Sequence, residues 1–225
     1  MTNNRGVLWD LDGVVVNTGE FHYQAWSLVL PEYGLPVTRE TFQATFGMNN
    51  VGVLTTLYGP TLAPELVAEI GDRKEEAFRQ AMRGHVQALP GVLDWLARLK
   101  AHGVPQALAT SAPPANIDVM LDELGLWSYF DAVLSGSDLP GKPDPTLFLK
   151  AAGEIGVPPE RCVVVEDAVA GVEAARRAGM RCIAVTTTNP ADILTEADVV
   201  VERLDALPLD AFEKLCGDGF RRSAE

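Results

Sequence analysis

The sequence is poor in cysteine and in positive charge. Its 225 residues include only three cysteines, Cys162, Cys182 and Cys216, and no two of them form a C-x-x-C pair. This pattern argues against a disulfide framework and predicts a reducing, cytoplasmic location. Lysine and arginine together number 18 against 31 aspartates and glutamates, so the formal net charge is -13. Nucleic acid and anionic membrane surfaces are therefore disfavoured as partners, because both attract basic patches.

Long apolar runs are absent as well. No window approaches the roughly 18 uninterrupted apolar residues of a membrane span, and the N-terminal MTNNRGVLWD lacks the apolar stretch of a signal peptide. Hydrophobic residues still make up 47% of the chain, which is enough for an ordinary globular interior. We therefore expect a soluble protein, either a monomer or a weak homodimer, whose partner is a small molecule.

Short apolar segments alternate with helical patterns along most of the chain. Runs rich in β-branched or small residues predict buried strands at 6–10, 104–110, 131–136, 162–167, 181–187 and 197–202. Amphipathic patterns predict helices at 91–103, 115–126, 145–156 and 168–179. Such alternation predicts right-handed βαβ units and an α/β fold with a mostly parallel, Rossmann-like sheet. Ligands of such sheets bind outside the carboxyl ends of the strands.

The section from about residue 20 to residue 85 interrupts this alternation. It contains helical patterns such as EFHYQAWSLVLPEYG and ELVAEIGDRKEEAFRQAM and no strand pattern. We interpret it as a helical insertion that leaves the sheet after the first strand and returns before Leu89. The predicted domains are a sheet core at 1–18 and 86–225 and an all-helical domain at 19–85.

Polar residues follow four of the predicted strands, at Asp10 and Asp12, Thr110 and Ser111, Lys142, and Glu166 and Asp167. Taken alone, each has an ordinary structural explanation, such as a turn, a helix cap or a solvated surface charge. Taken together, they fall at one edge of a parallel sheet and predict a single site. There the hydroxyls and the lysine would hold an anion, and the carboxylates would suit Mg²⁺.

Four sequence motifs occur in a familiar order: DLDGVVVNT, TS, KPDP and VVVEDAVAGVEAARRAGM. With them the chain resembles the haloacid dehalogenase (HAD)-like phosphotransferase superfamily, in the branch that carries a helical cap after the first motif. The resemblance covers nearly the whole chain. Within that branch, GEFHYQAW and the ED ending of the fourth motif are most similar to β-phosphoglucomutase and to small sugar-phosphate phosphatases.

The resemblance implies a reaction on a small phosphorylated metabolite. Asp10 would be the nucleophile and form an aspartyl-phosphate, while Asp12 would act as general acid and base. Mg²⁺ would bind the Asp10 carboxylate, the Asp12 backbone carbonyl and Asp167, with Glu166 either a further ligand or a supporting neighbour. The resemblance also makes the valines and glycine after Asp12 a flexible link that lets the cap close.

The resemblance further implies how the phosphate and the rest of the substrate are held. Thr110 or Ser111, together with Lys142, would clamp the phosphoryl oxygens. The cap residues that could contact substrate are His22, Trp26, Gly47, Asn50 and Lys74. Trp26 is equally compatible with a place in the core of the cap. The surrounding DRKEE favours a solvated helix face for Lys74.

Two activities remain open for this branch, a phosphatase and a sugar-phosphate mutase. A mutase must hold a second, non-reacting phosphate, which requires a well-placed cation. Where the mutase pattern has lysine and arginine in the cap loop, this chain has Phe46 and Asn50. Where that pattern has Lys-Asn after the second motif, the chain has Pro113 and Pro114. These departures favour hydrolysis of a monophosphate over the mutase alternative.

Other activities of the superfamily are disfavoured by single residues. Dehalogenases and the phosphonate hydrolases of this group lack an acid two residues after the nucleophile, whereas this chain has Asp12. A non-catalytic binding protein descended from such an enzyme would be expected to have lost a member of the motif set. None is missing from this sequence.

Overall fold

A six-stranded parallel sheet lies at the centre of the computed structural model, which describes residues 5–208 and 210–216. Its strands are β1 (Gly6–Trp9), β2 (Gln106–Thr110), β3 (Ala132–Ser135), β4 (Cys162–Glu166), β5 (Arg181–Val185) and β6 (Val199–Val201). Their order across the sheet is β3-β2-β1-β4-β5-β6, and every neighbouring pair is parallel. The predicted α/β fold is thus confirmed. The outermost residues of the predicted core, 1–4 and 217–225, lie outside the described part of the chain.

Helices follow the strands and also fill the section between β1 and β2. Within the described residues they are α1 (Gly19–Val29), α2 (Arg39–Gln43), α3 (Asn50–Tyr58), α4 (Pro64–Met82), α5 (Val92–Ala101), α6 (Pro114–Leu124), α7 (Thr146–Glu154), α8 (Val169–Arg177) and α9 (Ala211–Cys216). None of these described helices combines the length and the apolar character needed to span a membrane.

Both faces of the sheet are covered, because alternate residues of each strand point to opposite sides. Val7 and Trp9 of β1 pack in one apolar cluster with residues of α5, α6 and α9. Leu8, between them in the chain, packs in a second cluster with residues of α7 and α8. The sheet therefore lies between two helical layers.

The helices α1 to α4 surround an apolar cluster of their own. It includes Trp26, Leu30, Phe42, Leu54 and Ile70. No strand occurs between residues 19 and 85, as the sequence pattern predicts. The assignment of this section as a separate domain stays a prediction.

A lysine lies in the apolar stripe of α4, the longest of the described helices. Ile70, Lys74, Phe78 and Met82 recur at intervals of four and are all buried. Residues four apart lie on the same face of a helix, so these side chains point together into the interior. The spacing of its apolar neighbours thus carries Lys74 inward with them.

The segment 13–16 folds into a turn that is buried in the core. Gly13 has a φ of +79°, a left-handed conformation that glycine adopts without strain. The amides of two valines of the segment donate to the Leu11 carbonyl oxygen at 2.9 and 3.0 Å, and all three valines are at most 1% exposed. The segment implied as a flexible link is therefore packed into the core, and only Asn17 and Thr18 connect it to α1.

Candidate active site

Adjacent strands bring the predicted site residues to one edge of the sheet. Asp10 follows β1, Thr110 ends β2 and Glu166 ends β4, and β1 lies between the other two strands. Lys142 comes from the connection between β3 and α7. These four side chains and that of Asp167 are buried. The structure therefore brings together Asp10, Lys142, Glu166 and Asp167. Thr110 ends the strand next to β1, while Asp12 and Ser111 line a neighbouring cavity.

Lys142 joins two of the carboxylates. Its Nζ donates to Asp10 Oδ1 at 2.7 Å and to Glu166 Oε1 at 2.6 Å. Burial alone would lower the pKa of Lys142, but the two carboxylates raise it above its ordinary value, so the side chain is an ammonium at neutral pH. Burial, opposed by this ammonium, raises the pKa of Asp10 to about 7. Lys142 thus fixes the orientation of both acids.

The start of α8 positions the acids that follow β4. Glu166 Oε2 accepts the backbone N–H groups of Asp167 and Ala168 at 2.7 and 2.8 Å. Two glycines make room for these carboxylates: a Cβ at Gly171 would overlap Glu166, and a Cβ at Gly13 would overlap Asp167. The local backbone therefore leaves each carboxylate one well-defined place.

Three of the buried carboxylates fit a metal ion. Asp10, Glu166 and Asp167 each offer an oxygen, and these oxygens lie within 4.8 Å of one another. Asp167 Oδ2 accepts a hydrogen bond from the Thr188 hydroxyl, whereas Asp167 Oδ1 is buried without a hydrogen-bond partner in the described chain. Burial and the neighbouring carboxylates raise the pKa of Asp167. A cation would satisfy the orphaned oxygen, and an all-carboxylate set suits Mg²⁺.

Asp12 has a different environment from Asp10. Its Oδ1 accepts a hydrogen bond from the Thr18 hydroxyl at 2.5 Å and lies 3.3 Å from His22 Nε2. Burial alone would raise the pKa of Asp12, but the contacts with His22 and Thr18 lower it below its ordinary value. The described side-chain partners of Asp12 thus belong to α1 and the residue before it. Binding of a metal by its backbone carbonyl stays a prediction.

Lys74 is 2% exposed, so the sequence-based preference for a solvated helix face is wrong. The run DRKEE suggested a surface position, but the apolar stripe of α4 places this side chain inside. Lys74 Nζ lies 2.8 Å from His22 Nδ1 and donates to Glu75 Oε1 at 2.8 Å. A buried ammonium needs such partners, since burial of an unpaired charge is costly.

Glu75 is the centre of a second buried polar cluster. Its Oε1 also accepts from Asn50 Nδ2 at 2.9 Å, and its Oε2 accepts from Asn116 Nδ2 at 2.6 Å. Asn116 Oδ1 in turn accepts from the Arg79 guanidinium at 3.0 Å. These bonds connect α4 with α3 and with α6, the helix that follows the Thr110 strand end.

A cavity of about 580 Å³ adjoins the second cluster and Asp12, and among the residues that line it are His22, Trp26, Gly47, Asn50, Lys74 and Ser111. Trp26 also belongs to the apolar cluster of α1 to α4, which agrees with the core interpretation. Its contact with substrate stays a prediction. Ser111 Oγ lies 3.5 Å from the Gly47 carbonyl oxygen and so joins the residue after β2 to the helical section. The Thr110 hydroxyl is buried and accepts the Ala112 N–H at 3.1 Å.

Sequence reasoning missed four residues of this site: Thr18, Glu75, Asn116 and Thr188. Thr18 closes the quoted motif DLDGVVVNT, so its place in the motif was an available signal. Glu75 adjoins Lys74, and the burial of one could have indicated that of the other. No local spacing signals Asn116 or Thr188, because each reaches its carboxylate through tertiary packing.

We expect Thr188→Val to weaken Mg²⁺ binding about tenfold or more, the usual scale for losing a hydrogen bond that orients a metal ligand. Without the hydroxyl, Asp167 can rotate and its second oxygen loses its fixed direction. Titration calorimetry of the protein with Mg²⁺, in the absence of substrate, measures the affinity. Thr187→Val, in the same loop, is the matched control and should bind Mg²⁺ as the unaltered chain does. Equal affinities for the two variants would contradict this role of Thr188.

Comparison with known proteins agrees with this geometry. Residues 7–185 match the family described as haloacid dehalogenase-like hydrolase. Over 190 aligned residues the chain is 35% identical to fructose-1-phosphate phosphatase YqaB of Escherichia coli. The aligned region covers 80% of this chain and 95% of that protein. Over 218 aligned residues it is 30% identical to beta-phosphoglucomutase of Bacillus subtilis. The aligned region covers 92% of this chain and 92% of that protein.

A larger relative and a solved structure extend the comparison. Over 199 aligned residues the chain is 37% identical to the chloroplastic protein SUPPRESSOR OF QUENCHING 1 of Arabidopsis thaliana. The aligned region covers 85% of this chain but only 19% of that protein. A crystal structure of beta-phosphoglucomutase from Clostridium difficile matches 94% of this chain and 96% of its own with a TM-score of 0.84. Its sequence identity of 22% supports the fold alone. With the family match over most of its length, the chain belongs to the haloacid dehalogenase-like hydrolase family.

Proposed function

We propose that this chain is a magnesium-dependent phosphatase that hydrolyses a small organic phosphate monoester of sugar type. The observation that carries the proposal is the set of Asp10, Lys142 and the Glu166–Asp167 pair at one sheet edge, beside a cavity that Asp12 lines. The phosphatase named among the relatives supports the same reaction. Sugar-type substrates are also in accord with that relative's name.

In the first step, the Asp10 carboxylate attacks phosphorus in line with the leaving oxygen and forms an aspartyl-phosphate. Lys142 holds Asp10 in place and offsets negative charge that develops on the phosphoryl oxygens. Asp12 donates a proton to the departing alcohol. Mg²⁺, held by Asp10, Glu166 and Asp167, would neutralise phosphoryl charge when bound.

In the second step, water attacks the phosphorus of the aspartyl-phosphate and Asp12 takes a proton from the water. The bond between phosphorus and the Asp10 oxygen breaks, which releases inorganic phosphate and restores the Asp10 carboxylate. The lowered pKa of Asp12 keeps its carboxylate ionised in the free protein, so it is able to accept this proton. A bound phosphate brings negative charge close to Asp12, which favours the protonated form that the first step needs. His22 and Thr18 keep the carboxylate aimed at the reacting atoms in both steps.

The mutase alternative is supported by the likeness to beta-phosphoglucomutase of Bacillus subtilis. A mutase has to bind a bisphosphate, so its cavity needs a cation that is free to meet the second phosphate. Among the described residues that line the cavity here, Lys74 is the only lysine or arginine, and it is paired with Glu75. Hydrolysis is therefore the better supported of the two activities.

A panel of phosphorylated metabolites tests the proposal. We expect Mg²⁺-dependent release of inorganic phosphate from one or more sugar monophosphates, without any bisphosphate added as primer. Removal of the metal with a chelator should stop the release and re-addition of Mg²⁺ should restore it. Efficient interconversion of β-glucose 1-phosphate and glucose 6-phosphate, primed by the bisphosphate, would favour the mutase instead. No phosphate release from any monoester would contradict the proposal.

A further inference from the structure

The charge of Lys74 is already compensated before any substrate enters. Lys74 Nζ donates to Glu75 Oε1 at 2.8 Å, and both side chains are almost completely buried. Its other described polar neighbour is His22 Nδ1, also at 2.8 Å. The rings of Trp26 and Phe78 lie 5.3 and 5.2 Å from the ammonium. The cation of the cavity wall is thus half of a buried ion pair.

Glu75 cannot easily leave this ion pair. Asn50 binds the same oxygen that Lys74 binds, and Asn116 binds the other, so three donors from three helices fix the carboxylate. Burial alone would raise the pKa of Glu75, but the Lys74 ammonium, His22 and the hydrogen bond from Asn116 lower it below its ordinary value. The group is therefore ionised at neutral pH.

A second phosphate and a hydroxyl group would meet very different conditions beside this pair. An ammonium has three N–H donors, and two of the three have described partners, so one remains for a substrate hydroxyl. A phosphate at the same place would face the Lys74–Glu75 pair, which carries no net charge, and, beyond His22, the Asp12 carboxylate. The free-energy cost of removing water from the second phosphate would therefore not be offset by electrostatic attraction.

We infer that Glu75 is a specificity-determining residue: it neutralises Lys74, so that the cavity accepts a neutral, hydroxyl-bearing group and rejects a second phosphate. The inference rests on the proposed phosphatase function and narrows its substrates to monophosphates of neutral polyols or sugars. Specificity of this kind disfavours a bisphosphate because the charge of its second phosphate would have no positive partner in the cavity.

The first test is Glu75→Gln in an Asp10→Asn background, where the proposed mechanism allows no turnover. Calorimetry with Mg²⁺ present measures the affinity for fructose 1,6-bisphosphate and, as a matched control, for fructose 1-phosphate. With Glu75 neutral, Lys74 becomes an uncompensated cation, and we expect bisphosphate affinity to rise about tenfold or more while monophosphate affinity changes little. A bisphosphate affinity that does not rise overturns the inference.

A second variant controls for the loss of buried hydrogen bonds in Glu75→Gln. Glutamine at position 75 can still accept from Lys74 and Asn50 through its oxygen, but its amide would then face the Asn116 amide. Adding Asn116→Asp gives that amide an acceptor and places the negative charge beside Arg79, without changing the net charge of the chain. We expect this variant to bind the bisphosphate as tightly as the single variant. Affinity that returns to its starting value would mean that total charge, not the charge on Lys74, decides, and would overturn the inference.

The outcome is separable from that of the proposed function. Phosphate release by the unaltered chain tests the function, whereas bisphosphate affinity in the inactive background tests Glu75. An unaltered chain that releases phosphate equally well from fructose 1-phosphate and fructose 1,6-bisphosphate would retain the function and overturn the inference.

Discussion

Asp10→Asn should reduce Mg²⁺-dependent phosphate release by about 10⁴-fold or more, the scale expected when a covalent nucleophile is removed. Asparagine has nearly the same shape as aspartate, but its amide does not attack phosphorus. Lys142 can still donate to the amide oxygen, so the local packing is preserved. Phosphate release under saturating substrate measures the loss.

The same variant tests whether Asp10 carries the phosphoryl group. Rapid acid quenching of the unaltered chain during turnover, followed by mass spectrometry of its peptides, should place one phosphoryl group on the peptide that contains Asp10. That modification should be missing from Asp10→Asn. The melting temperature of the variant, measured with the unaltered chain as reference, shows that the fold persists. A folded variant with substantial Mg²⁺-dependent activity would exclude this mechanism.

For Asp12→Asn the effect should depend on the leaving group. With a sugar phosphate, loss of the general acid and base should slow turnover about 10²- to 10⁴-fold. With p-nitrophenyl phosphate the leaving group needs no proton, so the first step continues. The second step still lacks its base, and the aspartyl-phosphate accumulates. Stopped-flow absorbance should therefore show a burst of nitrophenolate, equal in amount to the protein, followed by slow turnover.

A matched substitution separates this result from a general loss of charge. Asp94 is exposed on α5, and Asp94→Asn should behave as the unaltered chain does with both substrates. An equal loss of activity with p-nitrophenyl phosphate and the sugar phosphate, without a burst, would show that Asp12 does not transfer the proton.

The sheet and the sheet-edge half of the site follow from local sequence. Each strand is a short apolar run that ends at a polar residue, and parallel strands must end at the same edge. Asp10 and Glu166 are therefore predicted to meet although 156 positions separate them in the printed numbering. Lys142 follows from the same logic, since its loop leaves the end of β3.

The helical half of the site was less accessible to sequence reasoning. The pattern of charges around Lys74 suggested a surface, while the apolar residues Ile70, Phe78 and Met82 at the same spacing indicated the opposite. When the two signals compete, the apolar stripe decides, because burying several large side chains outweighs the cost of one paired ammonium. Glu75 and Asn116 lie 41 residues apart and meet only because α4 packs against α6. No local periodicity contains that information.

The flexibility of the valines after Gly13 could not be inferred from their position in the motif alone. Their place between the acids and the helical section suggested a moving link, yet valine is also an ordinary core residue. The structure packs all three against the sheet, so Asp10 and Asp12 are attached to a common rigid turn. Relative motion of the helical section would then begin after Val16, at Asn17 and Thr18.

The close approach of Gly13 to Asp167 and of Gly171 to Glu166 has a consequence for mutational tolerance. Neither residue has a side chain to offer, yet any side chain at either position would occupy the space of Asp167 or Glu166. A saturation scan scored by activity would therefore rank both glycines beside the acids themselves, even though neither takes part in the chemistry. Intolerance at these two positions would reflect a lack of space for a side chain. Mutant libraries intended to change the substrate of this enzyme should therefore keep both glycines and vary the residues of the cavity wall instead.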